Sequence, residues 1–489
     1  MTTLTFAPRI LFLSADPARV RAQLAGESFT HERATPLRDD VSTDEISPLP
    51  AMVHFDATLG RYPYTGFKTG DERPIERDAV RSARIEVVVA GRRYGKGSSR
   101  EHSVVAEMSA GVRLVIAESF ERIYRQNADN VGLLTSTDFG LVARIQRGEA
   151  IELGELLAGR DTLAAAIVRV GGLLAYGQQR LQYRQAVLAA PADTEPGPRT
   201  LFQKIVDRHT LATTDTPARL AVGQGGFVRA DLRFIHEYYT GMCAHLLQRA
   251  LGDALVLREP ASIVAFEDHL SYVHRSPVHV AQGLVGNMLG LSRAHRAFVE
   301  RHGLTHHGYL QPQLDAGDAG NTGSQGISHA LVAERYALPE QVVVGTDSHT
   351  THSGALGCVA FGVGTTDMAN AFVTGAVRLT MPASLRVDLH GPLAAGATAK
   401  DVVLHLLALP VMRAGEGVGK VFEFCGSAVR AMSIDERATL TNMVAELGGF
   451  TGIVAPDDET VRFLHERRGI DFQLEPWMAS DAGAAYAAT

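Results

Sequence analysis

Two short runs pair a carboxylate with an imidazole at spacings suited to proton transfer. Gly345-Thr346-Asp347-Ser348-His349-Thr350 follows the apolar run 342–344. In an extended segment Asp347 and His349 point the same way, and at the mouth of a parallel strand they can pass protons or hold a polar substrate. The alternative is an Asx-turn that ends the strand and leaves His349 on the surface. Glu267-Asp268-His269 follows a second apolar run, 263–266. Its Asp-His dipeptide reads either as an acid–base couple or as a helix cap. His329, in Gly326-Ile327-Ser328-His329, lies just before the strand that leads to Asp347. Asn442 and Glu446 are four apart in a predicted helix over 437–447, so they share a face, and Met443, Val444 and Leu447 partly bury it.

Gly97-Ser98-Ser99-Arg100 offers a different chemistry. Ser98 followed by Glu101 is a capping-box pattern, which predicts a helix start whose free N–H groups favour anions. Arg100 adds a guanidinium suited to carboxylate or phosphate. Capping accounts for Ser98 but leaves Ser99 and Arg100 unexplained. The three cysteines, Cys243, Cys358 and Cys425, are far apart in sequence and each has apolar neighbours. No C-x-x-C pair or zinc-type spacing occurs, so no metal site is expected and each thiol reads as a small buried hydrophobe.

These groups need a frame. The β-branched runs 84–90 and 112–117 flank the predicted helix that ends at Gly111, a βαβ pattern pointing to parallel α/β architecture. Helical spacing recurs over 201–209, and Gly448-Gly449 closes the helix carrying Asn442. Residues 189–198 contain three prolines among small and polar residues, which predicts a linker over 191–198 between a block of 1–190 and a second of 199–489. A length of 489 residues leaves room for about three domains. The formal charge of −7, from 47 basic and 54 acidic residues, disfavours nucleic acid as the main partner. With few cysteines, no apolar run of membrane-spanning length and no signal-peptide pattern, a cytoplasmic enzyme is expected, with no membrane partner.

The quoted motifs then point to a family. Residues 39–48 (DDVSTDEISP), 94–102 (YGKGSSREH) and 127–134 (NADNVGLL) resemble the small swivelling domain of aconitases and isopropylmalate dehydratases. Glu267-Asp268-His269, 326–329, 343–357 (VVGTDSHTTHSGALG), 441–446 and Ala455-Pro456-Asp457 resemble the first two domains of the large part of the same enzymes. The resemblance implies an N-terminal swivel domain followed by three-layer α/β/α domains, an order opposite to that of single-chain aconitases. It places the end of this sequence near the expected start of the family's third, cluster-bearing domain. The three cysteines match no ligand position, so a [4Fe-4S] cluster is expected only from a partner chain.

Position by position, the resemblance implies that Ser99, as alkoxide, is the base that removes a proton next to a carboxylate. It implies that Asp347 pairs with Ser99 across the domain interface. Asp268 and His269 would handle the departing hydroxyl, tuned by His329, His349 and Glu446. Ser98 and Arg100 would bind a substrate carboxylate, Arg61 is the candidate for a second carboxylate contact, and Asn442 would lie beside a cluster. The implied activity is that of a hydro-lyase or isomerase acting on a hydroxylated or unsaturated di- or tricarboxylic acid. A cluster-free double-bond isomerase and a non-catalytic regulatory homologue are the alternatives. The expected partners are the acid itself and either a subunit carrying the third domain or further copies of this chain.

Overall fold

The computed structural model describes residues 2–97, 100–181, 187–188, 197–212, 219–270, 278, 281–282, 288–308 and 324–489. Ser98, Ser99 and most of the expected linker lie outside that set.

The first block is built on a parallel sheet with strands in chain order, Ile10–Phe12, Val87–Ala90, Leu114–Ala117 and Leu134–Ser136. Alternating side chains feed two cores, one on each face. Leu11, Val88 and Val115 join Tyr64, Tyr94 and Tyr124, while Ile10, Val89 and Ile116 join Leu141 and Ile145. A parallel sheet covered on both faces explains why these strands are apolar runs rather than alternating ones. The predicted βαβ unit is present, with its helix at Glu101–Ala110 and Gly111 in the left-handed conformation at its end.

The second block centres on a five-stranded parallel sheet of order Thr305–His307, Ile263–Phe266, Leu232–His236, Val342–Gly345, Val359–Gly362. Val342, Val344, Ile263 and Ala265 enter the core on one face; Val343, Val264, Phe234 and Phe266 enter that on the other. This is a three-layer α/β/α arrangement. Strand Leu232–His236 comes first in sequence and is central in space, so successive strands leave it in opposite directions and create a crevice at its carboxyl end. A three-stranded parallel sheet, Ser384–Asp388, Val421–Cys425 and Thr451–Val454, forms a further unit around Phe422, Phe424 and Leu440. Strand Gly225–Arg229 pairs antiparallel with Ala376–Thr380 and with Thr210–Ala212. Among the described residues, no helix is long and apolar enough to cross a membrane.

The predicted helix over 437–447 is in fact helix Ile434–Asn442 followed by a single 3-10 turn, Met443–Ala445. Gly448, at φ +73°, closes it as expected.

Candidate active site

Three neighbouring strands deliver their carboxyl ends to one place. Leu232–His236 supplies His236, Ile263–Phe266 leads into Asp268-His269, and Val342–Gly345 leads into Asp347. Asp347 is the centre. Its Oδ2 lies 3.2 Å from His269 Nε2, and its Oδ1 lies 3.3 Å from His329 Nε2 and 3.4 Å from His349 Nδ1. The extended segment expected beyond the strand is replaced by a 3-10 helix, Ser348–Leu356, with Asp347 as N-cap. The His349 N–H donates to Asp347 Oδ1 at 2.7 Å. The Asx-turn and the functional reading are therefore one structure: the cap bends the chain so that His349 folds back on the carboxylate it follows.

Asp268 also combines two roles. Its Oδ2 accepts the Ser328 N–H at 2.7 Å, capping helix Ser328–Arg335, whose own N-cap, Ile327, has no side-chain acceptor. Its Oδ1 lies 2.7 Å from His269 Nδ1. His269 thus bridges two carboxylates. Burial opposes its charge, but the bonds to Asp268 and Asp347 prevail and raise the imidazole to about 10. The same contacts outweigh burial at Asp268 and Asp347 and hold both carboxyls below the ordinary carboxylate range. His349 is raised to about 10 by Asp347 and by Glu446, whose Oε1 is 2.9 Å from His349 Nε2. His349 in turn lowers Glu446.

Two histidines that sequence reasoning passed over complete the group. His236 is fully buried and stacked on His269, with ring centroids 3.8 Å apart and planes 9° from parallel. Burial first, then the charge of His269, lowers it to about 3, so a neutral ring lies against a cationic one. His352, 6.2 Å from the His329 ring, is lowered to about 4 by burial, and Asn442 Nδ2 lies 3.4 Å from its Nδ1. The only signal for His236 was its place at the end of an apolar strand. His352 lay within the quoted 343–357 motif. The raised imidazoles of His269 and His349 are each paired with lowered carboxyls, Asp268 and Asp347 for the first, Asp347 and Glu446 for the second.

The cation that the sequence reading assigns to a carboxylate is Arg100, in the first block. Arg100 pairs with Asp44 and reaches the Ser47 carbonyl at 3.4 Å, while its buried Nε has no partner among the described residues. Gly95, at φ +81°, brings the chain against the Tyr124 ring, where a Cβ would come within 2.3 Å. The predicted capping box involves Ser98, which lies outside the described residues. The helix begins at Glu101 with Arg100 as N-cap, and the Glu101 carboxylate bonds to Thr366 of the second block. A chain of rings links this helix to the centre: His102 to Tyr239 (6.1 Å), then Tyr239 to His236 (4.8 Å). Arg61 is not brought to this group. It pairs with Asp78, and the adjacent Gly60 packs on Ser109, at the opposite end of helix Glu101–Ala110 from Arg100.

The cysteines do not form a cluster cradle. Cys243 lies in the main core and Cys358 in the core on the opposite face of the sheet, where its thiol donates to the Ser353 carbonyl. Cys425 ends the strand Val421–Cys425. His236, Glu237, Asp268 and His269 offer ligand atoms within 4.8 Å of one another. However, parallel stacked imidazoles direct their in-plane lone pairs side by side rather than toward one point, and Glu237 accepts the Leu270 N–H at 2.6 Å.

Comparison with known proteins identifies the lineage. The aconitase family (aconitate hydratase) description matches residues 203–488, and the aconitase C-terminal domain description matches 65–137. The chain belongs to the aconitase family. The probable 3-isopropylmalate dehydratase large subunit of Methanothermobacter thermautotrophicus is 32% identical over 273 residues, covering 56% of this chain and 58% of that one. The 3-isopropylmalate dehydratase large subunit of Roseiflexus castenholzii is 34% identical over 274 residues, covering 55% and 53%. The chain thus spans little more than half the length of these relatives. A solved 3-isopropylmalate dehydratase (LeuD) of Methanocaldococcus jannaschii is 27% identical, covering 30% of this chain and 91% of that one at a TM-score of 0.23. In this aconitase-family chain the five groups around Asp347 come from motifs spread between residues 268 and 446 and meet at the carboxyl ends of the inner strands of the sheet.

Proposed function

We propose that this chain catalyses reversible dehydration of a 2-hydroxy di- or tricarboxylic acid, with isomerisation when water returns to the other carbon. The observation that carries the reading is His269, held as an imidazolium between Asp268 and Asp347 at the mouth of the crevice. In this reading Ser99, as alkoxide, takes the proton next to a carboxylate, and the C–H electron pair becomes the C=C bond. The C–O bond breaks, and the oxygen leaves as water with the proton of His269 Nε2. Asp268 and Asp347 then stabilise the return of a proton to the imidazole. Arg100 exchanges Asp44 for a substrate carboxylate, with Ser98 beside it. His329, His349 and Glu446 set the charge around Asp347, and Asn442 orients His352.

In the family an iron–sulfur cluster acts as Lewis acid on the departing hydroxyl. The three cysteines of this sequence lie in separate cores and at a strand end and are not placed to hold one together. The cysteine placement also favours a second reading, double-bond migration in an unsaturated polycarboxylate, which needs proton transfer without C–O cleavage. The separate sheets and cores support a division into a swivel domain over 1–190, a linker over 191–198 and large-part domains over 199–489. Unpaired cysteines fit a reducing, cytoplasmic setting.

The test is to incubate the full chain with 3-isopropylmalate, citrate, isocitrate and their unsaturated counterparts in deuterated water, with and without chelator. Exchange of the proton next to a carboxylate, abolished by Ser99→Ala, supports both readings. Water loss distinguishes the first, and chelator-resistant double-bond migration the second. No exchange with any acid, alone or with an iron–sulfur partner chain, would overturn both.

A further inference from the structure

The seam between the two blocks is polar, buried and anchored close to the site. Helix Thr365–Thr374 of the second block starts at Gly364, which has no side chain to cap it. The missing cap comes from the other block: Glu101, with no exposed surface, accepts the Thr366 N–H at 2.8 Å and the Thr366 hydroxyl. A carboxylate at a helix N-terminus also complements the helix dipole. Glycine is required at 364, because a Cβ there would lie 1.8 Å from Asn127 Oδ1 and 2.9 Å from Glu101 Oε2. Around this contact, Gln126 and Asn130 each donate to Asp367 Oδ2 at 2.7 Å, and Arg122 donates to the Gly362 carbonyl at 3.3 Å.

The contact is short in sequence from both halves of the site. On one side Glu101 is two residues from Ser99, a reach of at most about 7 Å. On the other, Thr366 is four residues from Gly362, whose Cα packs so closely on the Asp347 backbone that a Cβ would lie 2.5 Å from the Asp347 carbonyl oxygen.

We propose that Glu101 is a positioning residue: by capping helix Thr365–Thr374 across the seam, it fixes the start of helix Glu101–Ala110, and with it the approach of Ser99, relative to the Asp347 group. This rests on the reading of Ser99 as base. Glu101 touches no reacting atom and acts through Ser99. A misplacement of about 1 Å is enough to cost roughly 10²-fold in rate.

The test uses the full chain with 3-isopropylmalate as probe, alongside amide hydrogen exchange. Glu101→Ala should lower kcat about 10²-fold with KM little changed. Glu101→Gln, which still accepts the Thr366 N–H, should recover most of the loss. The double variant Ser99→Ala/Glu101→Ala should be no slower than Ser99→Ala alone. Exchange should rise over 362–374 in Glu101→Ala but not over 263–270. Full turnover in Glu101→Ala, losses that multiply in the double variant, or unchanged exchange over 362–374 would each overturn the proposal. Should Glu101→Ala fail to fold, Glu101→Gln and Thr366→Val decide through the same exchange segments. If Ser99→Ala keeps full turnover, the base assignment fails, and the proposal that Glu101 acts through Ser99 falls with it.

Discussion

His269 places its Nδ1 2.7 Å from Asp268 Oδ1 and its Nε2 3.2 Å from Asp347 Oδ2, so a single imidazole joins the ends of the two strands that flank the central strand Leu232–His236. Asp268 is anchored by the Ser328 N–H and Asp347 by that of His349, so both acceptors are fixed before the ring arrives. The ring is therefore a protonated donor whose position is set by backbone rather than by mobile side chains.

That arrangement has a pH signature. His269 is raised from 6.5 to about 10, so its pairing contributes stability fully below about pH 6.5 and loses it as pH rises through 10. Asp268 and Asp347 are lowered, so their contribution is present above about pH 4 and lost as pH falls through their depressed values. The difference in melting temperature between the native chain and His269→Asn should be greatest between those limits and shrink toward pH 10. Thermal denaturation across that range checks it.

Asp347→Asn keeps an oxygen to cap the 3-10 helix but removes the charge facing three imidazoles. Folding should survive, with about 2–4 kcal/mol lost, because positive rings are left without their buried counter-charge. Turnover should fall by at least about 10³-fold, and steady-state kinetics with denaturant melts separate the two effects.

Glu446→Gln should lower the pKa of His349, since Glu446 and Asp347 together hold it near 10. Nitrogen-15 titration of the imidazole would show the drop directly. It should leave His269 nearly unmoved.

Arg100→Lys keeps the charge but loses the planar fork. KM for a dicarboxylate should rise about 10-fold or more, while kcat changes less, as expected of a group that binds ground state and transition state alike.

Much of this was legible in the sequence, and the misses share a cause. Asp268, His269, His329, Asp347, His349 and Glu446 could be picked out because each follows a strand or lies on a short patterned helix. Their local geometry was harder to read. Asp347 is extended as expected, but its side chain caps a 3-10 helix that begins at Ser348, so the extended segment does not reach His349. Glu101 looked like half of a capping box because Ser98 stands three residues before it. Among the described residues it is partnered by Thr366, 265 residues away, and no local pattern encodes that contact. His236 was missed because a lone histidine ending an apolar strand is usually a core residue. Only the stacking at 3.8 Å on His269 reveals what it supports.

The most direct measurement is a crystal structure of the chain with a bound 2-hydroxy dicarboxylate such as 3-isopropylmalate. The account predicts the acid in the crevice, its hydroxyl within about 3 Å of His269 Nε2, a carboxylate on Arg100, and the Ser99 hydroxyl facing the carbon that loses its proton. An acid bound with Ser99 turned away from the Asp347 group, and Glu101 still docked on Thr366, would contradict it.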